Sequence, residues 1–473
     1  MTEVRADKRR KALVFLDYDM LVRHFVLARA FRELEKTWQV RYVFHSDSSS
    51  PKKGLTVDPA SLGLTDWTYL EVPRARMGLW DKLYCVTALH NQRGTLNYRP
   101  RLELMASVRG WPRTRWYEFL SLPGLFQAFR GKFLRDMGVF QPLDDFIALE
   151  TPDLVIHPSI LAGYFVNELL EICSRRAIPL TLLMNSWDNP STKAMNTGIP
   201  ARLVVWGPQT RRHAIEYMKM PPERVLEFGA AQFDVYRNPP DRTDAQLRAD
   251  FGVPAELPIL LYAGVSKSVD ETSHLLALEQ AIQAGRIARC HILYRPHPWR
   301  GGLVAGETNF FDVSWKYVSM DPHMEAYYRR SAMVQQQGFD MADYKVTANL
   351  LRLVSGVISP LSTMLLEAIM HGKPVLMFFP DAERQGLAND TIALGMKLPH
   401  FAEFWGAKGV EICTSPGELA TAVDRLLVHH ADDATRSELI CHASRYVVMD
   451  GPSYAERLAV LADELISSTT RAV

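Results

Sequence analysis

Short apolar runs recur along almost the whole chain, and longer stretches with helical spacing of apolar and polar residues separate them. In the first half, runs rich in β-branched residues predict strands at 12–17, 39–45, 154–157, 179–184, 203–206 and 225–228. In the second half, the same pattern predicts strands at 258–263, 291–294, 355–358, 374–379 and 410–412. Strands that alternate with helices are typical of parallel sheets covered by helices on both faces, so the predicted fold class is α/β with doubly wound sheets.

A polar, proline-bearing segment at 237–246 interrupts this alternation and predicts a linker between two domains. We expect an N-terminal domain over 1–240, a C-terminal domain over 247–451 and a final helix within 452–473. The chain has 473 residues, which is enough for two domains with separate cores. Doubly wound domains bind ligands beyond the C-terminal ends of their strands, so functional residues are expected there.

Composition narrows the class of protein. Hydrophobic residues make up 47% of the chain and charged residues 23%, as in soluble globular proteins. The formal net charge of +1 argues against a nucleic-acid binder that relies on an overall basic field. Five cysteines without CxxC spacing indicate reduced, buried thiols. Because neither a signal-peptide core nor a run of about 18–20 apolar residues is found, we expect a cytoplasmic protein.

The most informative segment is 358–379. A predicted strand ends there in a Ser-Pro turn, and Ser362 and Thr363 follow at the start of a short helix that Gly372 ends. The first turn of a helix presents free N–H groups and the positive end of the helix dipole. This arrangement is typical of a phosphate site.

Glu367 interrupts the apolar run of that helix. A carboxylate beside so much apolar surface needs a hydrogen-bonding partner, and the ribose hydroxyls of a nucleotide would supply one. The alternative is that Glu367 faces solvent on an amphipathic helix.

Cationic residues follow another predicted strand, in the segment 291–302. Arg295, His297 and Arg300 crowd the loop that leaves it. A guanidinium and an imidazole at the C-terminal end of a strand suit a phosphate leaving group, since they neutralise the charge that grows as the bond breaks.

The loop 263–274, after the first strand of the second domain, is a further phosphate-binding candidate. Gly264 would allow close backbone approach, and Ser266 and Lys267 would contact the phosphates. The spacing of a P-loop is absent, and the alternative is an ordinary solvated loop.

Candidates for a general base lie at strand ends of the first domain: Asp17, Asp19, His24, His45, His157 and Asp188. Asp188 stands in the polar segment 185–193, which alternatively forms an ordinary turn. Asp17 alternatively caps the next helix, and His157 alternatively is a hydrogen-bonded loop histidine. No carboxylate cluster has metal-ligand spacing.

The segment 92–135 mixes basic and aromatic residues. It contains Arg99, Arg101, Arg109, Arg113, Arg115, Arg130, Lys132 and Arg135 together with Trp111, Trp116, Tyr117, Phe119, Phe126 and Phe129. This composition suits an anionic membrane surface or a lipid-linked glycan. It also suits arginines that lie over an ordinary core, or single-stranded nucleic acid, which nothing else in the chain supports.

RPHP at 295–298 and STMLLEAIMHGKPVL at 362–376 together resemble the donor half of GT-B-type glycosyltransferases. The similarity is strongest to bacterial surface-polysaccharide enzymes, namely nonulosonic-acid transferases and CDP-glycerol-type polyol-phosphate transferases. It covers about residues 180–460 and includes SWDNPSTK (186–193), LVVWGPQT (203–210), EFGAAQFDVY (227–236) and DGPSYAER (450–457). The first 150 residues show no family pattern.

The resemblance implies two Rossmann-type domains that face each other across a cleft, with the last helix crossing back to the N-terminal domain. It implies transfer of a sugar from a nucleotide-activated donor to a hydroxyl of a capsule- or O-antigen-type glycan. It also implies that neither a metal nor a cofactor is essential, because the helix dipole and basic side chains stabilise the leaving diphosphate. His297, Asp188 and Asp19 would be catalytic, and the donor would contact Gly264, Ser266, Lys267, Arg295, Ser362, Thr363 and Glu367. The alternatives are polyol-phosphate transfer, a nucleotide-sugar 2-epimerase of the same fold and a catalytically idle binding module.

Overall fold

The computed structural model of the chain describes residues 9–45, 57–265, 269–298, 300, 302–334, 343–379 and 396–470. The chain forms two compact units. Unit 1 consists of Met1–Asp234, Leu398–His400 and Tyr446–Val473, and unit 2 consists of Val235–Lys397 and Phe401–Arg445.

Unit 1 contains a seven-stranded parallel sheet. Its strands are β1 (Lys11–Leu16), β2 (Gln39–Phe44), β3 (Trp67–Tyr69), β4 (Leu154–His157), β5 (Leu180–Leu183), β6 (Arg202–Val205) and β7 (Val225–Glu227). The strand order is β3-β2-β1-β4-β5-β6-β7, so the direction of winding reverses between β1 and β4. The central strands β4 and β5 are buried along their whole length, as expected for a sheet covered on both faces.

Helices surround this sheet. They are Asp19–Leu21, Leu34–Thr37, Arg74–Gln92, Tyr98–Arg109, Trp111–Leu120, Pro123–Met137, Gln141–Glu150, Val166–Arg176, Asn189–Thr192, Pro208–Met218 and Tyr454–Thr470. A π-helical turn at Val22–Val26 and 3₁₀ turns at Pro59–Leu62 and Pro222–Arg224 complete the unit, and a 3₁₀ stretch at Ala231–Arg237 leads into unit 2. The last helix packs within unit 1, where Trp38 donates to Asp463 at 3.1 Å and Tyr454 packs against Phe25 and Phe228.

Unit 2 contains a six-stranded parallel sheet. Its strands are β8 (Ile259–Ala263), β9 (His291–Arg295), β10 (Val318–Met320), β11 (Gly356–Ser359), β12 (Val375–Phe378) and β13 (Val410–Cys413). The order β10-β9-β8-β11-β12-β13 reverses between β8 and β11. Its helices are Asp244–Asp250, Glu271–Gln283, Pro322–Val334, Tyr344–Leu353, Thr363–Met370, Leu419–His430 and Asp433–Ala443; the short helix Pro399–Ala402 spans both units.

Each of the strands predicted from the apolar runs is confirmed within one or two residues. The pattern did not predict β3 and β10, which are each three residues long and lie at an edge of their sheets, although it did predict the equally short edge strand β7. The predicted linker contains the start of the helix Asp244–Asp250, which a capping box between Thr243 and Gln246 begins.

The cysteines are free thiols. Cys85, Cys173, Cys290 and Cys413 are buried as predicted, whereas the prediction is wrong for Cys441, which is exposed. Within the described ranges, no helix combines the length and the apolar character needed to cross a membrane.

Candidate functional site

In unit 2, a polar turn connects β11 to the helix Thr363–Met370 at the point where the strand order reverses. The hydroxyl of Ser359 donates to the carbonyl of Ala263 at 2.6 Å and lies 2.9 Å from the hydroxyl of Ser362. Ser362 has extended backbone angles and is the N-cap of the helix. Ser362 and Thr363 are partly exposed, so the first turn of the helix presents its N–H groups at this edge of the sheet.

The helix ends as the sequence predicts. Gly372 has a φ of 64°, and a Cβ atom at this position would lie 2.3 Å from Cγ of Arg436. Only glycine therefore combines this conformation with this close approach. The next residue, Lys373, donates to the carbonyl of Arg352 at 2.9 Å, and burial lowers the pKa of its ammonium to about 8.

Glu367 lies one turn after Thr363 and is buried, with 7% of its surface exposed. Its carboxylate accepts a hydrogen bond from the hydroxyl of Tyr236, whose ring packs edge-on against His371 at 4.6 Å. Burial lowers the pKa of His371 to about 4, so this imidazole is neutral at pH 7. The solvent-facing alternative for Glu367 is therefore wrong, and its contact with a ribose stays a prediction.

Arg295 is the last residue of β9 and is buried. Its guanidinium donates to the hydroxyl of Thr347 at 3.1 Å and lies 3.5 Å from the carboxylate of Asp321. Burial by itself raises the pKa of Asp321, but Arg295 and His323 together bring it below its ordinary value. Part of the charge of Arg295 is thus already balanced inside unit 2.

His297 and Arg300, which the sequence groups together, differ in the structure. His297 is partly exposed, and its carbonyl accepts from the N–H of Arg300 at 3.0 Å, which forms a turn beyond β9. Arg300 is buried and forms ion pairs with both Glu271 and Glu307. Two carboxylates neutralise Arg300, so it supports the loop instead of offering a charge to a ligand.

Glu271 explains the glycine at 264. A Cβ atom at Gly264 would lie 2.6 Å from the carboxylate of Glu271. That carboxylate also accepts from the N–H of Val265 at 2.7 Å and from the hydroxyl of Tyr294 at 2.6 Å. Gly264 thus allows β8 to approach this buried group, while Ser266 and Lys267 lie outside the described residues.

Sequence reasoning missed Glu271. A signal was available, because Tyr262 and Tyr294 are register partners in two buried strands. A buried tyrosine hydroxyl requires a hydrogen-bond partner, and the helix after β8 supplies it. Burial raises the pKa of Glu271 above its ordinary value, although Arg300 acts in the opposite direction.

In unit 1, Asp17 and His157 meet at the corresponding reversal of strand order, between β1 and β4. Nε2 of His157 lies 3.1 Å from a carboxylate oxygen of Asp17, and its Nδ1 lies 2.9 Å from the carbonyl oxygen of Ser159. Asp17 also accepts from the N–H of Phe165 at 3.3 Å. Asp17 and His157 are fully buried. His157 is therefore a buried, hydrogen-bonded histidine, which was the alternative to a general base. Asp17 links the ends of β1 and β4 and does not cap the next helix.

The other candidate bases of unit 1 lie at separate places. Asp19 is buried and accepts from the N–H of Val57 at 3.3 Å. His45 donates from Nε2 to the carbonyl of Val72 at 3.0 Å and stacks on Tyr164 with ring centroids 3.5 Å apart. Burial lowers the pKa of His24 to about 3, so His24 is neutral at physiological pH.

Asp188 lies in a dense polar cluster after β5. It accepts from the hydroxyl of Ser186 and from that of Thr192 at 2.9 Å, and Nζ of Lys193 lies 3.8 Å away. Burial by itself raises the pKa of Asp188, but Lys193, His400 and the two hydroxyls lower it below its ordinary value. A general base works best with a pKa near the operating pH, so this environment favours a permanently ionised carboxylate.

His400 joins this cluster from more than 200 residues away in the chain. Its Nδ1 lies 2.7 Å from the hydroxyl of Ser191, its carbonyl accepts from Gln209 at 3.2 Å, and Trp187 packs edge-on against its ring. Burial lowers the pKa of His400 to about 4. Sequence reasoning missed His400, because no local pattern connects residues 398–400 to the first domain.

Among the described residues, no three His, Cys, Asp or Glu side chains are grouped so that they would hold a metal ion. The expectation that no metal or cofactor is essential stays a prediction.

No protein-family model matches the chain, and no curated protein matches its sequence. The fold is similar to that of UDP-N-acetylglucosamine 2-epimerase from Rickettsia bellii, with a TM-score of 0.50 and 11% identity, covering 98% of this chain and 99% of that one. Other similar structures are a putative UDP-N-acetylglucosamine 2-epimerase from Listeria monocytogenes (TM-score 0.49, 10% identity, 96% of each chain) and the wall teichoic acid polymerase TagF (TM-score 0.48, 11% identity, 98% of this chain and 90% of that one).

These neighbours are GT-B-type enzymes. The predicted GT-B-like fold class, with two parallel-sheet α/β domains, is therefore confirmed by the sheets and by the Rickettsia match. At 11% identity, the match supports the fold and does not define a reaction.

Proposed function

We propose that the chain is a nucleotide-sugar-dependent glycosyltransferase that moves a sugar to a hydroxyl of a surface glycan of the capsule or lipopolysaccharide type. The observation that carries this proposal is the partly exposed start of the helix Thr363–Met370 at the strand reversal between β8 and β11. Ligands of doubly wound sheets bind at such a reversal, and a helix N-terminus there favours the phosphates of a nucleotide.

In this proposal, Ser362 and Thr363 bind the phosphates, and Glu367, which shares a helix with them, accepts hydrogen bonds from the ribose hydroxyls. His297 is partly exposed beyond β9 and donates to the leaving phosphate as charge grows on it. Arg295 adds positive charge from within the edge of the sheet, and Gly264, Ser266 and Lys267 complete the donor site.

For the acceptor, the proposal keeps Asp188 and Asp19 as the catalytic carboxylates of unit 1. The donors around Asp188 favour its ionised form, which suits a role in orienting the acceptor hydroxyl. We propose that the reaction takes place in the cytoplasm and needs no metal, since the helix N-terminus and the basic side chains stabilise the departing phosphate. Unchanged turnover after chelation by EDTA is the expected result.

The test is a calorimetric screen of the full chain against CMP, CDP, UDP, GDP and dTDP. Binding of at least one nucleotide is expected. CMP alone would indicate a nonulosonic-acid-type donor, CDP a polyol-phosphate donor, and the others a conventional sugar nucleotide. If none binds, the proposal fails.

A second step separates transfer from the alternatives of the same fold. The nucleotide sugar that corresponds to the bound nucleotide is incubated with and without a glycan acceptor. Release of nucleotide that depends on the acceptor is expected. Conversion of the sugar without an acceptor would identify an epimerase, and binding without any turnover would identify a binding module.

A further inference from the structure

Two helices of unit 1 expose large apolar side chains. Trp111, Trp116 and Phe119 of the helix Trp111–Leu120 have 48%, 53% and 50% of their surface exposed. Leu122 and Leu125, around the start of the next helix, are also exposed. Trp116 stacks on Phe119, with ring centroids 5.7 Å apart.

The helix Trp111–Leu120 exposes aromatic side chains that an ordinary surface helix would bury. Its inner side buries Thr114 and Tyr117, followed by Ser121 just past its end. His90, in the helix Arg74–Gln92, hydrogen-bonds the carbonyl of Ser121, and Arg93, directly after that helix, donates to its hydroxyl. Core packing does not explain a helix that buries hydroxyls and exposes tryptophans, so the apolar side chains require a partner outside the unit.

Positive charge accompanies these side chains. Residues 98–137 contain eight Arg or Lys and three Asp or Glu, a net charge of +5, whereas the net charge of the whole chain is +1. Arg113 and Arg115 are exposed on the same helix, and the guanidinium of Arg115 lies 5.0 Å from the ring centroid of Trp111. We define the aromatic–basic face as Trp111, Arg113, Arg115, Trp116, Phe119, Leu122 and Leu125.

The helices Arg74–Gln92 and Tyr98–Arg109, which pack against the helix Trp111–Leu120, contact the segment that follows Asp188. Asn97 donates to the carbonyl of Ser191 at 2.9 Å, and the hydroxyl of Tyr84 donates to the carbonyl of Lys193. The aromatic–basic face and this candidate acceptor segment thus belong to one packed unit.

We propose that the aromatic–basic face docks the protein on an anionic phospholipid bilayer. Tryptophan and phenylalanine favour the headgroup region of a membrane, and arginine binds lipid phosphates. The helix Trp111–Leu120 lies along the interface in this proposal, and the opposite charge of the bilayer selects it over other apolar partners. The proposal concerns binding alone and is independent of the proposed reaction.

Co-sedimentation with vesicles tests it. Vesicles of phosphatidylcholine with about 30% phosphatidylglycerol should bind the wild-type chain at least about tenfold more tightly than pure phosphatidylcholine. Raising the salt to about 0.5 M should weaken this binding, since the arginines act through screened charge.

Two double variants separate the contributions. Trp116→Ser with Phe119→Ser should weaken binding by about tenfold or more at every salt concentration, because it removes the apolar contact. Arg113→Ser with Arg115→Ser should remove most of the preference for phosphatidylglycerol. The control is Leu149→Ser with Val428→Ser, which changes two apolar residues elsewhere that are even more exposed, and it should leave binding unchanged. Circular dichroism verifies that each variant is folded.

Several results would overturn the proposal. The wild-type chain could fail to bind the anionic vesicles. The control variant could lose as much vesicle binding as the Trp116/Phe119 variant, or the Trp116/Phe119 variant could bind as tightly as the wild type. A single-stranded oligonucleotide could also displace the vesicles. If binding of that oligonucleotide requires Trp116, the face binds nucleic acid instead of a bilayer.

Discussion

The six strands of unit 2 follow the same order as the first six strands of unit 1, but different kinds of residue lie where that order reverses. In unit 1, Asp17 and His157 meet between β1 and β4 and are completely buried. In unit 2, Ser362 and Thr363 occupy the equivalent place between β8 and β11 and stay partly exposed. The titratable pair at the strand ends of unit 1 is therefore closed off from solvent, whereas the start of the helix in unit 2 reaches the surface.

The packing of the neighbouring loop explains the difference. In unit 1, a Cβ atom at Gly163 would lie 2.1 Å from Asp17, so the chain closes directly over the carboxylate. In unit 2, the buried carboxylate of Glu271 forms an ion pair with Arg300. No comparable closure over Ser362 and Thr363 is seen among the described residues, and both stay partly exposed.

The largest expected effect is on the stability of unit 1. His157→Ala leaves the buried carboxylate of Asp17 without its imidazole and should reduce the free energy of unfolding by about 3–5 kcal/mol. Chemical denaturation followed by tryptophan fluorescence measures it. Tyr18→Phe is the control. It removes a single hydroxyl, which lies 3.3 Å from that of Ser159, and should reduce the free energy of unfolding by about 1 kcal/mol. Normal stability with lost turnover would make His157 catalytic instead.

The next effect is on turnover in unit 2. His297→Ala should remove about 2–4 kcal/mol of transition-state stabilisation while the free energy of unfolding stays unchanged. Steady-state kinetics with the donor found in the screen measures this. His429→Ala, which removes a histidine paired with Glu411 in the same unit, is the control. Turnover within a few-fold of the wild type would exclude His297 from the leaving-group role.

The pH dependence of stability tests the buried cluster at Asp188. The folded chain holds the pKa of His400 at about 4, against 6.5 in the unfolded chain. Between these values the unfolded chain binds a proton that the folded chain does not, so stability falls as the pH falls through this window. Between pH 7 and pH 5 the free energy of unfolding of the wild type should therefore fall by about 2 kcal/mol more than that of His400→Gln. Identical pH profiles of wild type and variant would contradict the burial of a neutral His400.

The smallest effect is on nucleotide affinity. Glu367→Gln should weaken binding of the nucleotide by about 1–2 kcal/mol, which is typical of a hydrogen bond to a charged group. Calorimetry measures it, with Glu411→Gln as a control at a carboxylate that pairs with Arg425 on the surface. Unchanged affinity would leave Glu367 as a purely structural partner of Tyr236.

The helix Thr363–Met370 shows how much of the candidate site is predictable from sequence. Its start at Ser362, its end at Gly372 and the following strand are as predicted, because capping and glycine conformation act over a few residues. The prediction that Glu367 does not face solvent is likewise confirmed by its burial. By contrast, the partner of Arg300 was not predicted, because Glu271 lies 29 residues earlier in the chain.

Local patterning thus determines the strands, the helix ends and the α/β class of this protein, since each depends on neighbours a few residues apart. The pairing of Asp17 with His157, of Arg300 with Glu271 and of Ser191 with His400 depends on strands and loops that meet only in the folded chain. Exposure also depends on the tertiary structure. Periodicity alone does not show that Thr114 is buried and Trp116 exposed, because this depends on which side of the helix the neighbouring helices cover. The reason is physical, because burial and charge pairing are properties of three-dimensional contact.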